Sequence, residues 1–198
     1  MYAGHVAIAL GARGLRRDLP LWILVAASQG CDWVELVVHR MTPRSSPDVY
    51  SHAVPFVLIP AAIMAVAVWG WKRALGPALT VLAVYLSHPL ADLVTGVKPL
   101  WLGGPHLGLG LIERPIADLV AQTVVCVLGF VVYQRSLPEL RRRSIVAFAP
   151  LVFLLGLQGA GDLSRLEFRR RRVRRLERAV APLRTDSSHI PRAYPSTT

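Results

Sequence analysis

The chain has 198 residues, 53% of them hydrophobic, and a mean hydropathy of +0.43. This composition excludes an ordinary soluble domain and favours a helical domain embedded in a membrane. The formal net charge is +11, and residues 163–198 supply +7 of it through ten arginines and three acidic residues. The two cysteines, Cys31 and Cys126, lie in apolar runs, so we expect each to behave as a small hydrophobic side chain. Their positions do not indicate a disulfide framework.

Four apolar runs have the length of a membrane-spanning helix, which needs ~20 residues to cross ~30 Å of hydrocarbon. They are Leu21 to Val38, Ala53 to Trp71, Leu75 to Val97 and Pro115 to Tyr133. Two shorter pieces, Tyr2 to Ala12 and Ile145 to Leu157, are expected to lie within or along the membrane without crossing it. The sequence therefore predicts an all-α polytopic bundle over residues 1–162, a basic amphipathic helix over 163–182 and a disordered tail over 183–198.

The first long run carries one polar stripe. Its members follow at steps of four, three and four residues: Ser28, Asp32, Glu35 and His39. A carboxylate at the centre of a membrane helix costs about 2.5–3.5 kcal/mol on insertion scales. Because Asp32 and Glu35 are on one helix, we expect the stripe to face the protein interior or a water-filled cavity. Ser28 and His39 are expected to lie beside these two carboxylates and support them.

The third long run contains the most informative motif, in which His88 and Asp92 are four residues apart. That spacing places both side chains on one helix face, flanked by Tyr85 and Thr95. Such a buried pair is either a hydrogen-bonded link between helices or two ligands of one metal. This stretch alone leaves both interpretations open.

Two further groups of polar residues have an informative spacing. Arg114, Asp118 and Gln122 form a charge-compensated stripe in the fourth run, which favours structural pairing beside the site. In the tail, Leu166 and other apolar residues repeat every seven positions among arginines, which predicts binding to an anionic lipid surface. The arginines expected to contact lipid are Arg169, Arg170, Arg171, Arg172, Arg174 and Arg175. Nucleic-acid binding is disfavoured because no stacking aromatic residues are interleaved with them.

The distribution of positive charge predicts the orientation. If the four long runs cross the membrane and Ile145 to Leu157 does not, nearly all arginines and lysines lie on one side, which is expected to be cytoplasmic. Candidate ligands from four segments then share one layer in the outer half of the membrane. They are His5, Asp32, His52, His88 and Asp92. This convergence favours a metal site over separate structural pairs.

Imidazole and carboxylate ligands without thiolates suit a divalent metal, zinc first and manganese or iron as alternatives. Such a metal brings bound water toward ionisation at neutral pH, and Glu35 is the nearby carboxylate expected to accept the proton. The leading hypothesis is a membrane hydrolase acting on an ester or phosphoester of a lipid or envelope component. Two alternatives remain: an ion- or proton-coupled transporter or ion-binding protein, and a scaffold acting through the arginine-rich tail.

The sequence also resembles a bacterial inner-membrane family, the LexA-binding, inner-membrane-associated metal-dependent hydrolases. The resemblance covers roughly residues 1–110. It rests on His5, on Gly30-Cys31-Asp32, on Ser51-His52 after a polar loop, and on Ser87-His88 to Thr95 with its Gly-Val-x-Pro-Leu-Trp continuation. Val34 stands where the family pattern has a second acid, and Ala53 follows His52 where it has serine. The resemblance thus implies a metal site in the bacterial inner membrane, without support for a second metal.

Overall fold

The structure is a computed structural model that describes residues 2–41, 52–101, 104–139 and 148–185. Within these ranges the chain forms helices, one short hairpin and a 3₁₀ turn at Leu111–Glu113. The helices are α1 (Tyr2–Leu15), α2 (Leu21–Ser28), α3 (Gly30–Met41), α4 (Val54–Lys72), α5 (Leu75–Thr95), α6 (Pro115–Arg135) and α7 (Ala149–Thr185). The hairpin pairs β1 (Lys98–Pro99) antiparallel with β2 (His106–Leu107). The predicted all-α class is confirmed.

Among the described residues, three helices, α4, α5 and α6, are long and apolar enough to cross a membrane. Helix α4 exposes most of its surface. In its apolar 18-residue stretch 17% of the residues are buried, compared with 39% in the corresponding stretch of α5. Exposed side chains such as Ile59, Ile63 and Val66 form the outer face of α4, as expected for a helix in contact with lipid. Helix α5 is therefore the most enclosed of the three, and it carries the His88 and Asp92 motif.

The prediction of one long helix over Leu21 to Val38 is wrong. The chain there forms α2 and α3, of 8 and 12 residues, interrupted at Gln29. Each is too short to cross a membrane alone. The physical reason lies in the packing of Gly30, because a Cβ at this position would collide with the ring of Tyr85 on α5. Glycine permits this close approach, and its weak helix propensity favours a break at the same point.

Small residues bring α1 into close contact with α6. Ala3 and Ala7 are fully buried on α1, and the Cβ that Gly11 lacks would lie 3.3 Å from the Cα of Gly129 on α6. A Cβ at Gly129 itself would collide with the backbone oxygen of Ala7. Backbones that approach this closely gain van der Waals contact, which is the main attraction between helices inside lipid.

The hairpin region covers the end of α5. Leu109 donates a backbone hydrogen bond of 2.8 Å to the Leu93 carbonyl, and Gly110 donates one of 3.3 Å to Gly96. The backbone at Gly108 has φ +142°, a conformation that glycine adopts readily. At the start of α4, Val54 donates to the Leu100 carbonyl at 3.0 Å. These bonds join the amino-terminal end of α4 to the carboxyl-terminal end of α5.

The chain divides into two compact units, Met1–Gly159 and Ala160–Thr198. Helix α7 begins in the first unit and ends in the second. The apolar part of α7 covers Ala149–Gly161 and is shorter than a membrane crossing. Residues 140–147, which include the first part of the predicted piece Ile145 to Leu157, lie outside the described residues.

The second unit contains the predicted basic helix. Among the arginines expected to contact lipid, the side chains of Arg170, Arg171 and Arg174 are exposed, and Arg171 lies 3.6 Å from Glu167 one turn away. The helix continues to Thr185, into the segment expected to be disordered, and residues 186–198 lie outside the described residues.

Candidate metal centre

Four separate segments meet at one buried group of side chains. His5 comes from the first turns of α1, Asp32 from the start of α3, and His52 from the residues preceding α4. His88 and Asp92 lie about one helical turn apart on the inner face of α5. The three histidines are nearly or fully buried, whereas the Asp32 side chain keeps 24% of its surface exposed. The site is therefore closed on its histidine side and open on the side of α3.

Asp92 lies at the middle of this group. One carboxylate oxygen, Oδ1, lies 3.2 Å from Nε2 of His5, and the other, Oδ2, lies 3.0 Å from Nε2 of His52. Oδ2 also lies 3.5 Å from Nε2 of His88. A buried carboxylate surrounded by imidazole nitrogens has its charge compensated locally, which a membrane interior requires.

The orientation of His88 is fixed by the break between α2 and α3. Its Nδ1 lies 2.6 Å from the Ser28 carbonyl oxygen, so Nδ1–H donates to that carbonyl. In an unbroken helix the same carbonyl would accept from the amide of residue 32. The interruption at Gln29 thus makes a backbone acceptor available to His88, and the hydrogen bond selects the tautomer with Nε2 unprotonated.

The other nitrogen of His88 then faces negative charge. Nε2 is buried without a hydrogen-bond partner among the described residues, 3.4 Å from Asp32 Oδ1 and 3.5 Å from Asp92 Oδ2. A neutral imidazole would direct its lone pair at two carboxylates, which is electrostatically unfavourable. Either a second proton on the ring or a cation between these atoms resolves the conflict.

The donor set fits a divalent metal. Asp32, His52, His88 and Asp92 each offer one ligand atom, and these four atoms lie within 4.8 Å of one another. Ligands ~2.0–2.1 Å from a tetrahedral zinc are separated by about 3.3 Å. The distances of 3.0, 3.4 and 3.5 Å between neighbouring donors are close to this value. Two imidazoles and two carboxylates also match the preference of zinc, manganese and iron.

His5, the fifth predicted ligand, lies beside the four-donor group. Its ring stacks on His88 with centroids 3.8 Å apart and planes inclined by 19°. Its Nε2 contacts the Asp92 oxygen that faces away from His52 and His88. This geometry suits a residue that holds Asp92 and the His88 ring in position.

Glu35 contacts His52 from the opposite side of the ring. Its Oε2 lies 3.5 Å from Nδ1 of His52, whose Nε2 faces Asp92. A carboxylate behind a metal-ligating histidine fixes the ring and raises its basicity. The structure thus gives Glu35 a positioning contact in addition to the proton-accepting role predicted for it.

We expect Glu35→Ala to weaken metal binding by about 10–100-fold, the usual effect of removing such a partner. Glu35→Gln retains an oxygen that accepts from the imidazole N–H, so it should bind metal more tightly than the alanine variant while still losing the proton acceptor. Metal titration of both variants with a competing chelator measures the difference. Equal affinities in parent and Glu35→Ala would contradict the positioning contact.

The remaining predicted site residues have different surroundings. The hydroxyl of Ser28 donates to the Val25 carbonyl at 3.0 Å, so Ser28 supports the site through its backbone oxygen, which no sequence pattern indicated. Tyr85 packs on Gly30, next to the helix break. The side chain of His39 lies outside the described residues.

On α6, Gln122 Nε2 donates to Asp118 Oδ2 at 2.9 Å, and both side chains are buried. This pair sits one turn apart on its own helix, in agreement with the predicted structural pairing. Arg114, the third member of the stripe, lies at the amino-terminal end of α6 with its side chain exposed.

The fold and the site together define a helical bundle with three candidate membrane spans and a four-donor candidate metal centre. No protein-family model, curated protein or solved structure matches this chain. Its function is therefore inferred from the site itself.

Proposed function

We propose that this protein is a membrane-embedded, metal-dependent hydrolase that acts on an ester or phosphoester of a lipid or envelope component. The observation that supports this most directly is the Nε2 atom of His88, which is buried between the carboxylates of Asp32 and Asp92. The resemblance to the inner-membrane hydrolase family agrees with it, and we propose the bacterial inner membrane as the location.

The residues of the site would have two separate roles, metal binding and proton transfer. Asp32, His52, His88 and Asp92 would hold a divalent metal, zinc first, which supplies Lewis-acid chemistry and makes water acidic enough to ionise near neutral pH. Glu35, whose side chain is 27% exposed, would accept the proton from the attacking water and return it to the leaving oxygen.

The metal content of the purified protein tests this proposal. We expect close to one equivalent of metal per chain after purification in detergent and exposure to zinc, manganese or iron, together with hydrolysis of lipid esters that a chelator abolishes. A well-folded protein that stays metal-free under all three conditions would rule out the hydrolase.

A second candidate function, ion binding in transport, draws on the helix interruption at Gln29. Broken helices beside a polar site are typical of transporters, where freed carbonyls coordinate ions. Here, however, the Ser28 carbonyl already accepts a hydrogen bond from His88. Ion uptake by reconstituted vesicles, without ester hydrolysis, would favour the transporter.

We further propose that the tail binds anionic lipid on the cytoplasmic surface. Arginine near a charged membrane contributes about 1 kcal/mol, an attraction that salt screens. A peptide covering residues 163–182 should therefore bind anionic vesicles and release them as salt is raised. A matched peptide with Arg170, Arg171 and Arg174 replaced by glutamine should bind more weakly. Equal binding to neutral and anionic vesicles would contradict the proposal.

A further inference from the structure

An apolar cavity of about 270 Å³ lies next to the candidate metal centre. Its walls come from the amino-terminal half of α4, the carboxyl-terminal half of α5 and the hairpin strand β1. His52 and Lys98 are the polar residues of the lining, and the others are valine, leucine or proline. Such a lining favours a hydrocarbon occupant, and the volume is near the lower end of the ~300–1,000 Å³ typical of ligand pockets.

His52 belongs to both the cavity and the metal centre. Its ring lines the cavity, while its Nε2 lies 3.0 Å from Asp92 Oδ2. The His52 side chain therefore borders both the apolar space and the other donor atoms. A group at the end of a chain lying in this cavity would meet the metal centre directly.

The cavity also adjoins the outer surface of the bundle. Leu58 on α4 and Leu90 on α5 line it, yet their side chains are 49% and 64% exposed. Both helices are long and apolar enough to cross a membrane. In a membrane the exposed parts of these two leucines would therefore contact hydrocarbon, which offers a lipid chain a route to the cavity that avoids water.

We propose, on the basis of the hydrolase function above, that this cavity holds one hydrocarbon chain of a lipid carboxylic ester, with the ester group beside His52. In a carboxylic ester the reacting carbonyl carbon is attached directly to the hydrocarbon chain. In a phosphoester of the same lipid the glycerol backbone separates the phosphorus from that chain. The short path across His52 thus favours the carboxylic ester. Lys98, which also lines the cavity, complements an anionic headgroup.

The reaction balances with water as the only co-reactant. The water oxygen forms a bond to the acyl carbon, and the bond between that carbon and the alkoxide oxygen breaks. One proton of the water goes to the leaving alkoxide oxygen, which gives an alcohol and a fatty acid. No oxidant or reductant is needed.

A photo-crosslinking experiment on the full-length protein in lipid nanodiscs tests the cavity separately from the chemistry. The probe is a long-chain fatty acid with a diazirine on the chain, and the labelled peptides are identified by mass spectrometry. Leu58→Trp fills the cavity from the lipid side, and Leu90→Trp does the same from the other helix. Ile59→Trp is the matched control, because Ile59 is the next residue on α4, is 60% exposed and does not line the cavity.

We expect the parent and Ile59→Trp to be labelled on α4, α5 or the hairpin, and both cavity variants to lose at least 10-fold in labelling. A melting temperature close to that of the parent shows that each variant is folded. Hydrolysis of a lipid carboxylic ester should fall by a similar factor in both cavity variants and be unchanged in Ile59→Trp.

Equal labelling of parent, Leu58→Trp and Leu90→Trp, or labelling confined to other helices, would overturn the cavity assignment. Labelling of the cavity that is lost in Leu58→Trp and Leu90→Trp, without hydrolysis of any ester, would support the lipid-binding cavity and rule out the hydrolase. Failure of the cavity assignment and failure of the proposed function are therefore distinguishable. Hydrolysis of a phosphoester alone, with chain binding intact, would overturn the carboxylic ester assignment.

Discussion

Replacing His88 or Asp92 with alanine should abolish metal binding and activity together. Each residue supplies one of the four donor atoms, so each substitution removes a ligand of the metal. Removing Asp92 also leaves His5 and His52 without the carboxylate that both contact. Breaking a buried charge pair by removing one partner typically costs about 3–5 kcal/mol, so the melting temperature should fall as well.

The chain offers matched controls for both substitutions. Asp118 is a buried acid that hydrogen-bonds Gln122 on α6 and is not one of the four donors, and His106 is an exposed histidine on β2. Asp118→Ala should lower stability and His106→Ala should change little, while both keep the metal stoichiometry of the parent. Metal analysis and thermal melting in detergent measure the two effects. His88→Ala or Asp92→Ala with the parent's metal content would contradict the assigned donors.

The part of the site within one helix was predictable from sequence, because helix geometry is local. His88 and Asp92 are four residues apart, and the structure places Nε2 of the first 3.5 Å from Oδ2 of the second. The approach of His5 and His52 required a further step, in which chain crossings and charge distribution placed separate segments in one layer.

Other features depend on contacts between distant residues and left no local signal. The run Leu21 to Val38 is continuously apolar enough to be taken as one helix, whereas its break depends on Gly30 meeting Tyr85. The hydrogen bond from His88 to the Ser28 carbonyl follows from that break. The contact between Glu35 and His52 depends likewise on the direction of an imidazole ring, which spacing along the chain does not encode.

The contact between α1 and α6 depends on the close approach of the two backbones at Gly129. We expect Gly129→Val to lower the free energy of unfolding by about 3 kcal/mol or to prevent folding, which is at or above the upper end for overpacked cores. The first added atom, Cβ, would already collide with the backbone oxygen of Ala7. A change of rotamer moves atoms beyond Cβ only, so the helices must separate and lose the packing that holds them in lipid.

Gly70→Val is the matched control, because Gly70 also lies inside a helix, on α4, and a Cβ there meets no atom within 4 Å among the described residues. It should retain the parent's stability within ~0.5 kcal/mol. Gly14→Val is a second test of the same contact, since its Cβ would lie 2.6 Å from the Val132 oxygen. Reversible unfolding in detergent, followed for all three variants, gives the comparison. If Gly129→Val and Gly14→Val unfold like Gly70→Val, then α1 does not pack on α6 at backbone contact, and His5 must be held against Asp92 by other means.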